Sequence, residues 1–169
     1  TNTLGPYLET ITKMTGFEMA LPMNSGAEAV ETAIKAARRW AYRSKKIEKD
    51  KAEIIVADGN FHGRTTTIIS FSSESNSKDD FGPHTPGFIS VEFGNSQAVE
   101  DAITKNTAAV LFEPIQGEGG IIEPPENWLP DIREICDRNN VLMILDEVQS
   151  GLGRTGKLFA YEHANIRPD

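Results

Sequence analysis

The chain of 169 residues has little cysteine, few long apolar runs and little positive charge. Cys136 is its only cysteine, so no disulfide can form within the chain, which fits a reducing compartment. No apolar run reaches the roughly 18 residues that a membrane-spanning helix needs. Lys and Arg number 17 against 25 Asp and Glu, and the formal net charge of -8 argues against nucleic acid or an anionic membrane as a partner. We therefore expect a cytoplasmic globular protein. The mitochondrial matrix is the alternative, because the chain begins without a methionine and a leader segment would not be visible in it.

Helical and strand-like apolar patterns alternate along the chain. Helical patterns cover residues 3–14, 26–46, 96–105 and 129–140, and short apolar runs cover 52–58, 87–93, 108–114 and 141–147. Strands that are apolar throughout and separated by helices predict an α/β fold, with a mostly parallel central sheet and helices on both faces. Residues 72–87 form the one long polar loop of this pattern. Such a fold binds its ligands beyond the carboxyl ends of the strands, so chemistry is expected directly after each apolar run.

The second helical pattern is the strongest in the chain. One face of it carries Ala29, Ala33, Ala36, Ala37 and Trp40, which predicts that this face packs on the core. The basic residues at its end, within 38–46, are predicted to be a solvated helix end, where positive charge complements the helix dipole.

Two glycine patterns of nucleotide-binding proteins follow the last apolar run. G-x-G-x-x-G falls on Gly151, Gly153 and Gly156, and G-x-x-x-x-G-K ends at Lys157. A P-loop follows a strand directly, opens a long helix and ends on Ser or Thr, whereas this chain has Leu158 at that position. A nucleotide hydrolase is therefore the weaker of the functions considered for this segment.

A second candidate anion site lies at the start of the long helix. Ser25 is a predicted N-cap with Glu28 three residues later, the spacing of a capping box. The backbone N–H groups of Gly26 and Ala27 would then point out of a helix N-terminus, where a phosphate is stabilised. The alternative from these residues alone is an ordinary capped helix that binds nothing.

Four segments together carry a family resemblance. They are the helix start at Ser25–Ala27, "NFHGRT" (60–65), "EPIQGEGG" (113–120) and "LDEVQSGLGRTG" (145–156). In this order they resemble the class III pyridoxal-phosphate-dependent aminotransferases of fold type I, and the resemblance covers essentially the whole chain. It implies that residues 1–169 are part of the large, cofactor-binding domain, with the small domain and the Schiff-base lysine region outside them.

The resemblance assigns several residues to pyridoxal 5'-phosphate. The assigned contacts are Gly26 and Ala27 to the phosphate, Phe61 and Val148 to the two ring faces, Gln149 to the ring 3-oxygen, and Asp146 to the ring nitrogen. A carboxylate at Asp146 would keep that nitrogen protonated, which strengthens the ring as an electron sink. The alternative for Asp146 from this position alone is a strand-end acid that caps a neighbouring loop. His62, next to Phe61, is expected to pack rather than to act as an acid or base.

The same resemblance implies the substrates. Arg64 would bind a substrate carboxylate in a forked geometry, and Glu118 resembles the carboxylate that switches between substrates by pairing with an arginine. The stretches "LPMNSGAEAVETAIKAARRWAY" and "FGPHTPGF" look most like members that transfer the δ-amino group of ornithine to 2-oxoglutarate. Members that use acetylornithine, 4-aminobutyrate or lysine remain alternatives. A non-catalytic binding or scaffold fragment is the alternative from another class.

The partners implied are small amino acids and 2-oxo acids, a second copy of the full-length chain in a homodimer, and no metal, nucleic acid or membrane. In the family the Schiff-base lysine follows "RPD" by a few residues, and here that sequence is Arg167–Asp169. Lys157 does not match it. We therefore expect residues 1–169 alone to be inactive and to bind the cofactor weakly.

Overall fold

The structure is a computed structural model that describes residues 2–169. Within that range the helices are α1 Leu4–Thr15, α2 Gly26–Trp40, α3 Ser75–Lys78, α4 Ser96–Ala102 and α5 Trp128–Asn139. The strands in the same range are β1 Glu53–Ala57, β2 Phe88–Val91, β3 Thr107–Phe112 and β4 Leu142–Leu145. Each predicted helix and strand is present, with its ends shifted by a few residues. Additional short elements are a π-helical turn at Ala41–Lys45, two 3-10 helices at Ile68–Phe71 and Ala160–Ala164, and α3 inside the predicted polar loop.

The strands form one parallel sheet in the order β2-β1-β3-β4. The central strand β3 is buried at every position, which explains the apolar sequence that runs from Ala108 to Phe112. The strands that follow β1 and β3 in the chain, β2 and β4, lie at opposite edges of the sheet. The connections leaving β1 and β3 therefore part in opposite directions, which opens a crevice between their carboxyl ends.

Helices cover both faces of this sheet, as predicted. On one face, α4 and α5 bury Val99, Trp128 and Ile132 against the strands. On the other face, α2 buries Val30 and Ile34 together with strand residues of β1 and β3. The α/β architecture with a covered parallel sheet is therefore confirmed.

The predicted core face of α2 is confirmed at Ala37 and at the partly buried Trp40, and it is wrong at Ala29 and Ala36. The buried residues of α2 are Val30, Ile34 and Ala37, whereas Ala29 and Ala36 are exposed. Both stripes have the same helical spacing, so periodicity alone does not separate them. The Val and Ile stripe prevails because it removes more apolar surface from water than the alanine stripe would.

The basic end of this helix is only partly solvated. Lys45 Nζ donates hydrogen bonds to the carbonyl oxygens of Thr107 (2.8 Å) and Asn139 (3.0 Å), which ties the π-helical turn to β3 and α5. Arg38 donates to the carbonyl oxygen of Pro86 (2.9 Å) and lies over the ring of Phe88. The prediction of a solvated cluster is therefore wrong for these two residues, whose positive charges fix neighbouring backbone.

No helix within residues 2–169 is long and apolar enough to cross a membrane.

Candidate active site

One cavity of about 220 Å³ lies at the carboxyl ends of β1, β3 and β4 and at the N-terminus of α2. Its lining residues are Gly26, Ala27, Phe61, His62, Gly63, Glu113, Ile115, Asp146, Val148 and Gln149. The six residues expected to contact a cofactor are all among them, although they come from three segments far apart in the chain. Convergence at this edge is what the parallel topology predicts.

The N-terminus of α2 presents free donors to this cavity. Ser25 Oγ accepts a hydrogen bond from the Glu28 N–H (3.2 Å), which confirms the predicted N-cap. Glu28 Oε2 in turn accepts from the N–H of Asn24 (2.7 Å), one residue earlier than in a standard capping box. The N–H groups of Gly26 and Ala27 have no acceptor among residues 2–169. A helix start with two free N–H groups lining a cavity is suited to an anion.

Two glycines allow the close approaches that form the cavity. Gly63 has φ +119°, and a Cβ there would lie 2.8 Å from the Cβ of Ala27, so only glycine lets this loop reach the start of α2. At Gly26 a Cβ would lie 3.0 Å from Val148 Cγ1. The side chain of Val148 thus lies directly over the helix start while remaining 65% exposed.

Asp146 and His62 form a buried pair inside the cavity. His62 Nδ1 lies 2.7 Å from Asp146 Oδ2, and the two side chains are 0% and 6% exposed. Asp146 Oδ1 accepts a hydrogen bond from the Val148 N–H (3.0 Å). A carboxylate only accepts, so Nδ1 of His62 carries the hydrogen. The second ring nitrogen of His62, Nε2, is buried without a partner among the described residues.

This pairing gives His62 a role that the sequence did not reveal. The histidine was expected only to pack, but its ring orients a carboxylate 84 residues later in the chain. No local pattern indicates a partner at that separation. The available signal was topological, since both residues follow parallel strands and so lie at the same edge of the sheet.

Glu113 is a second polar residue at the base of the cavity, and it is only 5% exposed. Its Oε2 accepts from the N–H of Phe61 (3.0 Å) and its Oε1 from the N–H of Gly117 (3.3 Å). Burial raises the pKa of the Glu113 carboxyl above its usual value, and the two N–H groups and nearby His62 oppose that shift.

The residues expected to bind substrate lie beside the cavity rather than in its lining. The guanidinium carbon of Arg64 lies 5.1 Å from the centroid of the Phe61 ring, and this exposed side chain has no carboxylate partner among residues 2–169. Glu118 Oε1 is 3.5 Å from Gln149 Nε2, at the limit of a hydrogen bond. Two predicted functional residues from different segments therefore meet at the cavity rim.

The glycine-rich stretch at residues 151–157 does not build a phosphate site. It forms successive turns after β4, and the next helix is the five-residue 3-10 helix Ala160–Ala164. Lys157 Nζ donates to the carbonyl oxygen of Glu162 (2.8 Å) on the surface and does not line the 220 Å³ cavity. The nucleotide interpretation thus lacks the long helix that a P-loop requires. A separate cavity of about 380 Å³, beside Pro124 and Leu129, contains none of the predicted site residues.

Comparison with known proteins gives the family. The chain matches the family Aminotransferase class-III over residues 1–169, and it belongs to that family. It is 59% identical over 166 residues to ornithine aminotransferase 2 of Staphylococcus saprophyticus, covering 98% of this chain and 42% of that protein. The chain thus spans about two fifths of the length of the curated relatives it matches.

Solved structures agree with this assignment. The chain superposes with a TM-score of 0.96 on an ornithine aminotransferase from Toxoplasma gondii, at 44% identity, with 98% of this chain and 39% of that chain covered. That structure has pyridoxal phosphate at partial occupancy in its active site. The acetylornithine aminotransferase from Elizabethkingia anophelis gives a TM-score of 0.84 at 49% identity, with 100% of this chain and 41% of that one covered. The fold is therefore that of a fragment of the large domain of these enzymes.

The cavity has the chemistry that pyridoxal phosphate requires. Free N–H groups at Gly26 and Ala27 suit the phosphate, and the Asp146 carboxylate suits a protonated ring nitrogen. Phe61 and the exposed Val148 are apolar groups of the kind that pack against a flat ring. The residues present fit this cofactor.

Proposed function

We propose that the full-length protein containing this chain is a pyridoxal-phosphate-dependent aminotransferase that acts on ornithine. The reaction moves the δ-amino group of ornithine to 2-oxoglutarate, giving glutamate 5-semialdehyde and glutamate. The carbon that loses the amino group is oxidised to an aldehyde, and the keto carbon that receives it is reduced. The observation that carries the proposal is the convergence of Gly26, Ala27, Phe61, Asp146 and Gln149 on one cavity in a chain of this family.

Pyridoxal phosphate, when bound, supplies the electron-accepting ring that carries the amino group between the two substrates. The chain's own part is to hold and polarise that ring. Asp146 would keep a proton on the ring nitrogen, and His62 fixes the Asp146 carboxylate through Nδ1. Because both side chains are almost fully buried, water does not weaken this interaction. Gln149 is the residue proposed to hydrogen-bond the ring 3-oxygen.

Substrate binding falls to Arg64 and Glu118 in this proposal. A guanidinium without a carboxylate partner, lying over the Phe61 ring, is available for a substrate carboxylate. Glu118 is proposed as the carboxylate that pairs with an arginine elsewhere in the full-length protein when ornithine binds, and releases it when the diacid binds. Its position beside Gln149 supports a role at the substrate side of the site.

The test is to express the full-length protein and follow the absorbance of its bound cofactor with each amino donor. We expect conversion with ornithine and little with N-acetylornithine or 4-aminobutyrate. Conversion with N-acetylornithine but not ornithine would overturn the substrate and keep the reaction class. Acetylornithine, 4-aminobutyrate and lysine 6-aminotransferases are the alternatives that this experiment separates.

Residues 1–169 are proposed to be part of the large domain and to be inactive alone, because Lys157 lies outside the cavity and does not serve as the Schiff-base lysine.

The full-length protein is proposed to be a homodimer. Large apolar side chains of the N-terminal region are exposed in the single chain, and a second copy would cover them; they include Tyr7, Met14, Met19 and Leu21. Sedimentation of the full-length protein at twice the monomer mass is the expected result.

A buried free thiol at Cys136 supports a reducing compartment such as the cytoplasm.

A non-catalytic scaffold fragment is the second candidate, and sequencing the reading frame past Asp169 separates the two. A lysine on the strand following Asp169 supports the enzyme, and its absence supports the scaffold. The nucleotide hydrolase is tested by thermal unfolding, in which pyridoxal phosphate should raise the melting temperature and ATP or NAD should not.

A further inference from the structure

A single buried carboxylate connects the two loops that flank the cavity. Glu113 follows β3 directly, and its two oxygens accept from the N–H groups of Phe61 (3.0 Å) and Gly117 (3.3 Å). Phe61 belongs to the loop after β1, and Gly117 precedes Glu118. Neither N–H has another acceptor among residues 2–169. One side chain therefore satisfies the backbone of both loops.

The second loop is a short hairpin, residues 116–122, closed by paired backbone bonds between Gln116 and Ile122 (2.9 and 3.0 Å). We call it the Glu118 hairpin. Besides the bond to Glu113, it contacts the loop after β1 through Gln116 Nε2, which donates to the carbonyl oxygen of Asp58 (2.7 Å). Gly119 packs so closely on the carbonyl of Gly59 that a Cβ there would lie 2.8 Å from it. The hairpin is thus docked along the loop after β1.

We propose that Glu113 is a positioning residue that sets the distance between Phe61 and the Glu118 hairpin, and thereby between the cofactor ring and the substrate carboxylate switch. This inference rests on the function proposed above. Phe61 is the residue that would stack on the ring, and Arg64 lies over the same aromatic side chain. On the other side, Glu118 reaches Gln149, the proposed partner of the ring 3-oxygen.

The chemistry of the carboxylate explains why this position needs an acid. An amide has a single acceptor oxygen, so glutamine at this position would leave one of the two partly buried N–H groups without a partner. A buried carboxylate is costly unless it is well paired, and here the two N–H groups and His62 offset part of that cost. An apolar side chain would pack more cheaply, but it would bind neither loop.

The test uses the full-length protein with pyridoxal phosphate as the probe. Glu113→Gln is compared with Glu53→Gln, which removes the same charge at the amino end of β1, where the carboxylate accepts from the Thr104 hydroxyl (2.6 Å). Hydrogen exchange is measured by segment, and cofactor binding by its dissociation constant and by the circular dichroism of the bound ring. We expect exchange in 59–64 and 116–121 to rise together by about tenfold in Glu113→Gln, as loss of one hydrogen bond implies.

The bound ring gives the readout that a purely structural role would not change. In Glu113→Gln the dissociation constant of pyridoxal phosphate should rise about tenfold and its dichroism should fall, while Glu53→Gln behaves as the wild type. Should Glu113→Gln fail to fold, Glu113→Asp is measured instead; its shorter side chain keeps the charge but cannot reach both N–H groups, so at least one segment should exchange faster.

Three results would overturn the inference. They are unchanged exchange in both segments, a change equalled by Glu53→Gln, and faster exchange with unaltered cofactor binding and dichroism. A wild-type protein that binds no pyridoxal phosphate overturns the proposed function as well as the cofactor part of this inference, whereas the exchange data still decide whether Glu113 joins the two loops.

Discussion

Two glycine-containing segments of this chain are candidate phosphate sites, and only one of them has the structure that such a site needs. Residues 151–157 carry the recognisable patterns, yet they form mostly exposed turns with no long helix after them. Gly26 and Ala27 match no nucleotide pattern, but their free N–H groups open the 15-residue helix α2 and line the cavity that contains Asp146. An anion site depends on a helix N-terminus and its surroundings, and not on the spacing of glycines alone.

The largest expected difference between the two segments is catalytic. Asp146→Ala in the full-length protein should lower kcat/KM for amino transfer by at least about 10²-fold, because it removes the buried charge that is proposed to face the ring nitrogen. Lys157→Ala is the matched change in the glycine-rich segment, where the ammonium donates to the carbonyl oxygen of Glu162 on the surface. It should leave kcat/KM within about twofold. The measurement is steady-state kinetics with ornithine and 2-oxoglutarate.

The opposite ranking of these two variants would return the site to residues 151–157. Circular dichroism in the far ultraviolet provides the control for folding, because Asp146→Ala also removes the partner of His62 Nδ1 and of the Val148 N–H. An Asp146→Ala protein that is folded and as active as the wild type would falsify the role assigned to this carboxylate.

A pair of glycine substitutions should separate affinity from stability. A Cβ at Gly26 would lie 3.0 Å from Val148 Cγ1, so Gly26→Ala crowds the helix start and should weaken pyridoxal phosphate binding about tenfold. Gly153 has φ +91° and open space around it, so Gly153→Ala should cost about 1 kcal/mol of stability through backbone strain. Its cofactor affinity should not change. Cofactor titration and thermal unfolding of both variants provide the comparison, and equal loss of affinity in the two would contradict it.

The sequence was sufficient to predict the architecture because the strands are recognisable from their apolar runs. The residues of β3 are buried at every position and are apolar from Ala108 to Phe112, and helical patterns separate the strands, so a parallel covered sheet follows. The core face of α2 was not predictable in the same way. Val30 and Ile34 lie one position along from the predicted Ala29 and Ala33, and the two stripes share one periodicity, so only the greater apolar area of valine and isoleucine distinguishes them.

The location of the site could be predicted from the topology, whereas the contacts within it could be seen only in the structure. Residues after parallel strands were expected to meet, and Phe61, Asp146 and Gln149 do line one cavity. The pairing of His62 with Asp146 connects two residues that are 84 positions apart. The bond that Glu113 accepts from the N–H of Phe61 spans 52 positions and joins a side chain to the backbone. Side-chain identity does not encode such bonds, because any loop can present an N–H. The roles of these residues therefore remain predictions for the experiments above.

A smaller effect tests whether the helix start matters through its cap. Ser25→Ala removes the acceptor of the Glu28 N–H and should cost about 1 kcal/mol of stability. Asn95→Ala removes the equivalent cap of α4, whose side chain accepts from the Ala98 N–H (3.0 Å) away from the cavity, at a similar cost. Only Ser25→Ala should also weaken pyridoxal phosphate binding, because only α2 opens on the cavity. Urea unfolding and cofactor titration of both variants measure this, and identical cofactor affinities would show that the end of α2 does not hold the phosphate.

The smallest effect expected at neutral pH concerns the face of the sheet opposite α2. Cys136 on α5 is fully buried, and burial raises the pKa of its thiol to about 12. Well below pH 9 the thiol is protonated in both the folded and the unfolded chain, so it contributes no pH dependence to stability there. As pH rises above 9 the unfolded thiol ionises while the folded one keeps its proton, so the free energy of unfolding should fall. Thiol titration should show no reaction at Cys136 in the native protein at pH 8 and full reaction in urea; rapid native labelling would contradict the burial of this helix, and with it the layer that supports β3 and β4 beneath the site.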